Sequence, residues 1–265
     1  MQSLYFTLIQ TNLFWEDKKA NLEMLEKKIA GIQQKNTIVL LPEMFSTGFS
    51  MRPEIFAEEM NGETIEWMKR MASSQKIILA GSIMVKEDDK YYNRLIWMQP
   101  DGKYSYYNKR HLFAYGDEDK HYTPGNKRLI TSVNGFRINM QVCYDLRFPV
   151  WARQLPPADD ENNFFHALVY LANWPERRIH HWKSLLVARA IENQCYVIGV
   201  NRVGDDGNNI HHTGESMVVN AMGEILYHKK EEEDIFTIAL DAEHVAETRS
   251  RFPFWKDADH FFIPE

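Results

Sequence analysis

Three residues of this chain stand where a side chain can do chemistry. Glu43 follows the apolar run Ile38-Val39-Leu40-Leu41 and Pro42. A carboxylate at the carboxyl end of a buried strand lies where α/β folds bind ligands, and it suits general-base work there. The same position also suits a turn acid or a helix cap. Lys109 closes Tyr106-Tyr107-Asn108. A strand-end lysine is either a donor to a developing oxyanion or a surface residue whose stem lies along the neighbouring aromatics. Cys143 ends the strand-like run Phe136-Arg137-Ile138-Asn139-Met140-Gln141-Val142. At a turn from strand into helix its sulfur is accessible, and the N–H groups of the helix start favour the thiolate. The alternative is a buried structural cysteine. Cys195, within Asn193-Gln194-Cys195-Tyr196-Val197-Ile198, fits that structural role better.

A cysteine nucleophile often works with a histidine, and spacing leaves His111 and His181 open as bases. The adjacent pairs His180-His181 and His211-His212 share no helix face and lack the spacing of a zinc site, so no metal is expected. The glycines are scattered, and no phosphate-cradling loop of P-loop or Rossmann type is present.

The elements that must position these residues alternate. Residues 3–10, 37–41, 76–85, 91–99, 103–107, 135–142, 166–171 and 194–201 read as strands, and 16–33, 62–74 and 179–193 as helices. Asp88-Asp89 and Pro100-Asp101-Gly102 mark turns, and 213–240 reads as two or three strands with a turn at Ala221-Met222-Gly223. Hairpins mixed with crossovers predict an α/β fold with mixed sheets. The 265 residues show no linker and no internal repeat, so a single domain over 1–265 is expected. The polar stretch 156–163 reads as a surface loop. With 44% hydrophobic and 26% charged residues, the composition is that of a globular chain. A net charge of −6 disfavours a nucleic-acid or anionic-membrane binder, and no apolar run is long enough to span a bilayer. The start, MQSLYFTLIQTN, lacks a signal-peptide pattern; with only two cysteines, this predicts a cytoplasmic protein with free thiols.

Taken in order, Leu40-Leu41-Pro42-Glu43-Met44-Phe45, Tyr107-Asn108-Lys109-Arg110-His111-Leu112-Phe113 and Val142-Cys143-Tyr144-Asp145-Leu146-Arg147-Phe148-Pro149 resemble the nitrilase (carbon–nitrogen hydrolase) superfamily. The resemblance spans about residues 3–255. Asn173-Trp174-Pro175, His181-Trp182, Ala188-Arg189-Ala190-Ile191-Glu192-Asn193-Gln194 and Gly199-Val200-Asn201-Arg202-Val203-Gly204 are similar to its omega-amidase branch. That branch hydrolyses the terminal amide of short 2-oxo-dicarboxylic monoamides such as 2-oxoglutaramate and 2-oxosuccinamate.

The resemblance implies a four-layer α-β-β-α sandwich with two mixed sheets, pairing into homodimers or larger assemblies. It implies a Glu43-Lys109-Cys143 triad, with a further active-site glutamate at Glu118. Cys143 would form a thioester, and Lys109 and the Tyr144 backbone N–H would hold the oxyanion. The partners are a small amide and water, with no metal or organic cofactor. A nitrile, carbamoyl amide or other small amide is the alternative substrate; a non-catalytic binder of the same fold fits the intact triad poorly.

A substrate carboxylate is best read by a guanidinium fork. Arg147, Arg177 and Arg178 are the candidates, with Tyr115, Asn173 and Trp174 as further pocket residues. Arg147 could equally brace Asp145 or Glu192, and Arg177 and Arg178 could be a solvated helix start. Residues 251–265 are too aromatic for a free tail and are expected to dock on this subunit or on a partner.

Overall fold

A computed structural model describes residues 3–154 and 164–263; the predicted loop at 156–163 lies outside the described residues. Thirteen strands are described: β1 (Leu4–Gln10), β2 (Ile38–Leu40), β3 (Ile78–Glu87), β4 (Lys90–Met98), β5 (Tyr104–Asn108), β6 (Leu129–Val133), β7 (Phe136–Val142), β8 (Ala167–Ala172), β9 (Tyr196–Asn201), β10 (Val203–Asp205), β11 (His211–Val219), β12 (Ile225–Lys230) and β13 (Asp234–Leu240). One sheet runs β13-β1-β2-β3-β4-β5 and the other β10-β11-β9-β8-β7-β6, with β12 paired to β11. Both are mixed: β1-β2-β3 and β7-β8-β9 are parallel, and the flanking pairs are antiparallel.

Among the described residues, four helices longer than two turns cover the outer faces: α1 (Lys18–Ala30), α2 (Glu63–Gln75), α3 (Ile179–Asn193) and α4 (Ala242–Arg251). Strand alternation explains the layering. On β2, Ile38 and Leu40 face the core between the sheets, while Val39 and Leu41 face α1 and α2. On β1, Phe6 and Leu8 point inward and Ile9 outward. The outer cluster takes in Leu22, Leu25 and Ile29 of α1 with Ile65, Met68 and Met71 of α2. Trp182, Leu186 and Ala190 of α3 close the far side of the second sheet. The result is the expected α-β-β-α sandwich.

Most predicted elements appear within about two residues of their expected limits. The Asp88-Asp89 turn is a two-residue hairpin in which both residues have positive φ, 49° and 58°, a conformation aspartate tolerates. The sequence reading missed β6 and β10. On β6, exposure alternates along an edge strand, and Thr131 and Ser132 weaken the apolar signal. β10 has three residues, too few for a period. The C-terminal segment packs on its own subunit: Trp255 meets Phe164 edge to face at 5.4 Å, and Ile263 rests on the core. Phe254 and Phe262 stay exposed.

The α3–β9 contact leaves no room for a side chain at Gly199. A Cβ there would lie 2.6 Å from both the buried Trp182 ring and Leu186. Gly199→Ala should therefore destabilise the fold by about 1–3 kcal/mol, the usual cost of overpacking. A lowered urea midpoint checks this, and an unchanged midpoint would mean that α3 moves freely.

Candidate active site

The loops after three parallel strands carry the central groups. Glu43 lies just beyond β2, Cys143 directly after β7 and Asn173 directly after β8. Lys109 follows the edge strand β5, where its backbone N–H still bonds to Asn93 O at 2.9 Å. Glu118 begins a one-turn helix, and its carboxylate accepts the Phe113 N–H at 2.6 Å. Carboxyl ends from both sheets thus converge on one place.

At its centre is a buried cation between two carboxylates. Lys109 Nζ donates to Glu43 Oε1 at 2.8 Å and to Glu118 Oε2 and Oε1 at 2.8 and 3.0 Å. All three side chains are fully shielded from solvent. Asn93 Nδ2 bridges the same two carboxylates, at 2.8 Å to Glu43 and 3.0 Å to Glu118. The other Glu43 oxygen accepts the Asn173 N–H at 2.9 Å, while Asn173 Nδ2 holds the Glu43 carbonyl at 2.5 Å. Burial disfavours the charged lysine, but Glu118, Glu43 and Cys143 outweigh it and hold the ammonium above its ordinary range. Glu118 is raised, by burial first and by the Glu43 charge, against the pull of Lys109.

The Cys143 thiol lies in the field of the Glu43 carboxylate and the Lys109 ammonium. The residue sits at φ 44°, a strained left-handed conformation for a non-glycine residue, as found where a nucleophile is thrust out of a turn. The reading of a helix start that favours the thiolate is corrected here. Burial and the Glu43 charge push the thiol well above its usual range, against Lys109 and the Asn173 N–H. The resting sulfur is held as a thiol, with the Glu43 carboxylate as a charged neighbour. Cys195 is buried away from this site and is pushed up to about 12 by burial.

Asp145 holds the cysteine turn. It accepts the Val142 N–H at 3.1 Å and the Tyr107 hydroxyl at 2.8 Å, and its other oxygen accepts the His111 N–H at 3.0 Å. His111 Nδ1 also reaches it, at 2.8 Å. His111 is therefore tied to Asp145, and His181 Nδ1 meets Arg147 at 3.1 Å; neither contact is with Cys143. Tyr144 lies in the first turn of the short 3-10 helix Cys143–Arg147, where backbone N–H groups lack intrahelical acceptors.

The site opens to solvent through a pocket of about 270 Å³ lined by Cys143, Lys109 and Tyr144 at its base. Its walls include Phe113, Asn173 and Trp174, and Arg147, Arg177, Arg178 and the exposed Tyr115 stand around it. The brace reading of Arg147 fails. Asp145 is taken by Tyr107 and His111, and Glu192 by Arg189, so Arg147 lies instead over the Trp174 ring at 4.8 Å. Arg178 stacks on Phe113 at 5.0 Å and is half-buried. Among the described residues, none of these three arginines pairs with a carboxylate, and no cluster of three or more His, Cys, Asp or Glu side chains could hold a metal.

Asn93 and Asp145 were not read from the sequence. The one available signal for Asn93 was a polar Asn-Arg pair inside the otherwise apolar strand Tyr91-Tyr92-Asn93-Arg94-Leu95-Ile96-Trp97. Asp145 stands two residues from Cys143, but nothing local distinguishes it from a capping acid.

Comparison with known proteins agrees with this geometry. The sequence description of the carbon–nitrogen hydrolase family matches residues 6–250. The chain is 42% identical to omega-amidase YafV of Escherichia coli strain K12 over 98% of its own length and 99% of that protein. It is 30% identical to the 2-oxoglutaramate amidase of Bacillus subtilis strain 168, covering 94% and 95% of the two chains. Among solved structures, a CN-hydrolase superfamily protein from Xanthomonas campestris, carrying an arsenic adduct in its active site, superposes over 100% of both chains with a TM-score of 0.94 and 40% identity.

The raised thiol predicts a pH response. The ultraviolet thiolate absorbance that is lost in Cys143→Ala should be absent at neutral pH and develop only above the ordinary thiol range of about 8.5. Glu43→Gln removes a neighbouring negative charge and should move that rise to lower pH. A full thiolate signal at pH 7 in the unmutated protein would refute the thiol assignment.

Proposed function

The chain belongs to the carbon–nitrogen hydrolase family, and from that premise we infer that it is an omega-amidase, releasing ammonia from the terminal amide of a short 2-oxo-dicarboxylic monoamide. The observation that carries the reading is the Cys143 thiol in a small pocket together with Lys109, whose ammonium is paired at 2.8 Å with the Glu43 carboxylate. Arginines that pair with no carboxylate among the described residues stand around that pocket.

In this mechanism Glu43 takes the thiol proton as sulfur attacks the amide carbon. Deprotonation is coupled to attack because burial makes a free thiolate costly. The tetrahedral oxyanion accepts from Lys109 Nζ and the Tyr144 backbone N–H. Lys109 has three protons for three short carboxylate contacts, so the oxyanion takes one at the expense of Glu118. Glu43 returns its proton to the departing nitrogen, ammonia leaves, and a Cys143 thioester remains. Water then attacks the thioester as Glu43 takes its proton, with Glu118 holding Lys109 in place. The C–S bond breaks, the carboxylic acid is released, and the proton returns to sulfur.

The pocket matches an acyl group ending in a carboxylate. The guanidinium of Arg147 offers a fork for the two oxygens, held in plane by the Trp174 ring. Asn173 serves mainly to aim Glu43, and Tyr115 stands at the mouth. The pocket's small volume favours short substrates.

The proposal extends to assembly and location. Ile191 on α3 and the exposed Met222 and Ile225 around the β11–β12 turn form an apolar face with Val187 beneath it, suited to a homodimer contact. Two free thiols and no disulfide suit the cytoplasm, and among the described residues no helix is long and apolar enough to cross a membrane. Sedimentation at micromolar concentration should give a dimer or larger, and a monomer would remove that claim.

The function is tested by ammonia release. 2-Oxosuccinamate should be hydrolysed roughly tenfold to a hundredfold better than its methyl ester, the value of one charge-assisted hydrogen bond. Chelator should leave the rate unchanged, and Cys143→Ala should abolish it. Equal rates on acid and ester would reject carboxylate recognition and leave a hydrolase of another small amide.

A further inference from the structure

A second concavity lies away from the pocket that holds Cys143. It is a groove of about 810 Å³ between the edge strand β5 and the loop that leads into β6. Lys90, Arg110, Lys127 and Arg128 line it, and no aspartate or glutamate does. Among the described residues, none of these four cations forms an ion pair with a carboxylate, in a chain whose net charge is −6. The exposed lysines alone would be an ordinary solvated surface. The arginines are different, because both are half-buried and fixed on one ring: Arg110 lies 4.4 Å and Arg128 4.8 Å from the Trp151 centroid.

Stacking two guanidiniums on one indole holds like charges in each other's field. Burial lowers the Arg128 pKa from its ordinary value, and the Arg110 charge adds to that. Arg128 Nε is buried with no hydrogen-bond partner. A buried donor without an acceptor costs free energy until something accepts from it. Trp151 itself is anchored, its Nε1 donating to the Tyr107 hydroxyl at 3.0 Å, so the pair cannot easily spread apart.

We propose that this groove is a second binding site, for a small phosphate-bearing polyanion. Planar guanidinium forks match phosphate oxygens in pairs, and the lysines at the rim add charge without demanding geometry. Four cations across a groove of this size call for several negative charges rather than one, which points to linked phosphates. The site is separate from the hydrolase pocket and does not depend on the omega-amidase reading.

The test is isothermal titration of the full-length protein with pyrophosphate and with ADP at fixed ionic strength. Arg147→Gln/Arg178→Gln removes two of the three arginines of the other pocket, including both that stack on its aromatic walls, and should retain one binding event per chain. Arg128→Gln should weaken that event about tenfold or more. Lys90→Gln/Lys127→Gln, which alters only exposed side chains, should weaken it by a smaller factor and keeps the test valid if the arginine variant folds poorly. Equal affinity for the two probes assigns the groove to a phosphate chain alone; tighter ADP binding assigns it to a nucleotide. Absent binding, binding that both groove variants leave unchanged, or binding that disappears with Arg147→Gln/Arg178→Gln would overturn the proposal.

Discussion

Everything at the centre of this structure depends on one buried cation. Lys109 lies between Glu43 and Glu118 with no solvent contact, and charges taken out of water are tolerated only when paired at close range and hydrogen-bonded on every side. Asn93, Asn173 and the Phe113 N–H supply those remaining bonds. Removing one partner would leave an uncompensated charge in the core. The cluster is therefore a structural constraint and, in the proposed mechanism, a set of positioned proton carriers.

That cluster forms because parallel strands from two sheets end side by side. Glu43 and Cys143 lie 100 positions apart in the chain, and they meet because β2 and β7 both terminate at the same edge of the sandwich. The sandwich core fixes the strands, and a second polar knot fixes the turn. Asp145, bonded to Val142, Tyr107 and His111, braces the positive-φ cysteine from behind, as Glu43 and Lys109 approach it from the front. A strained residue persists only where the surroundings over-determine it.

The electrostatics divide the labour. The same low-dielectric surroundings that strengthen the Lys109 pairs keep the Cys143 sulfur protonated. In the proposed mechanism this links nucleophile activation to substrate binding, since the base acts only as the carbonyl arrives. Among the described residues, Arg147, Arg177 and Arg178 pair with no carboxylate, which in the proposed function leaves the pocket receptive to an anionic substrate group.

The linear order of residues determined a good deal by itself. Apolar periodicity was enough for most strands and for helices α1, α2 and α3, because burial on a strand or helix face writes its period directly into the residue types. Glu43, Lys109 and Cys143 stood out because each follows a strand-like run, and strand ends are where such folds collect polar groups. Glu118 came from the resemblance to a known family, since Asp117 and Asp119 beside it look the same locally; only the fold turns Glu118 inward and leaves Asp117 and Asp119 exposed. Tertiary structure also decided the protonation of Cys143, the freeing of Arg147 from Asp145, and the bridging by Asn93. Those outcomes depend on which groups lie within about 3 Å in space, a distance that one-dimensional spacing does not encode.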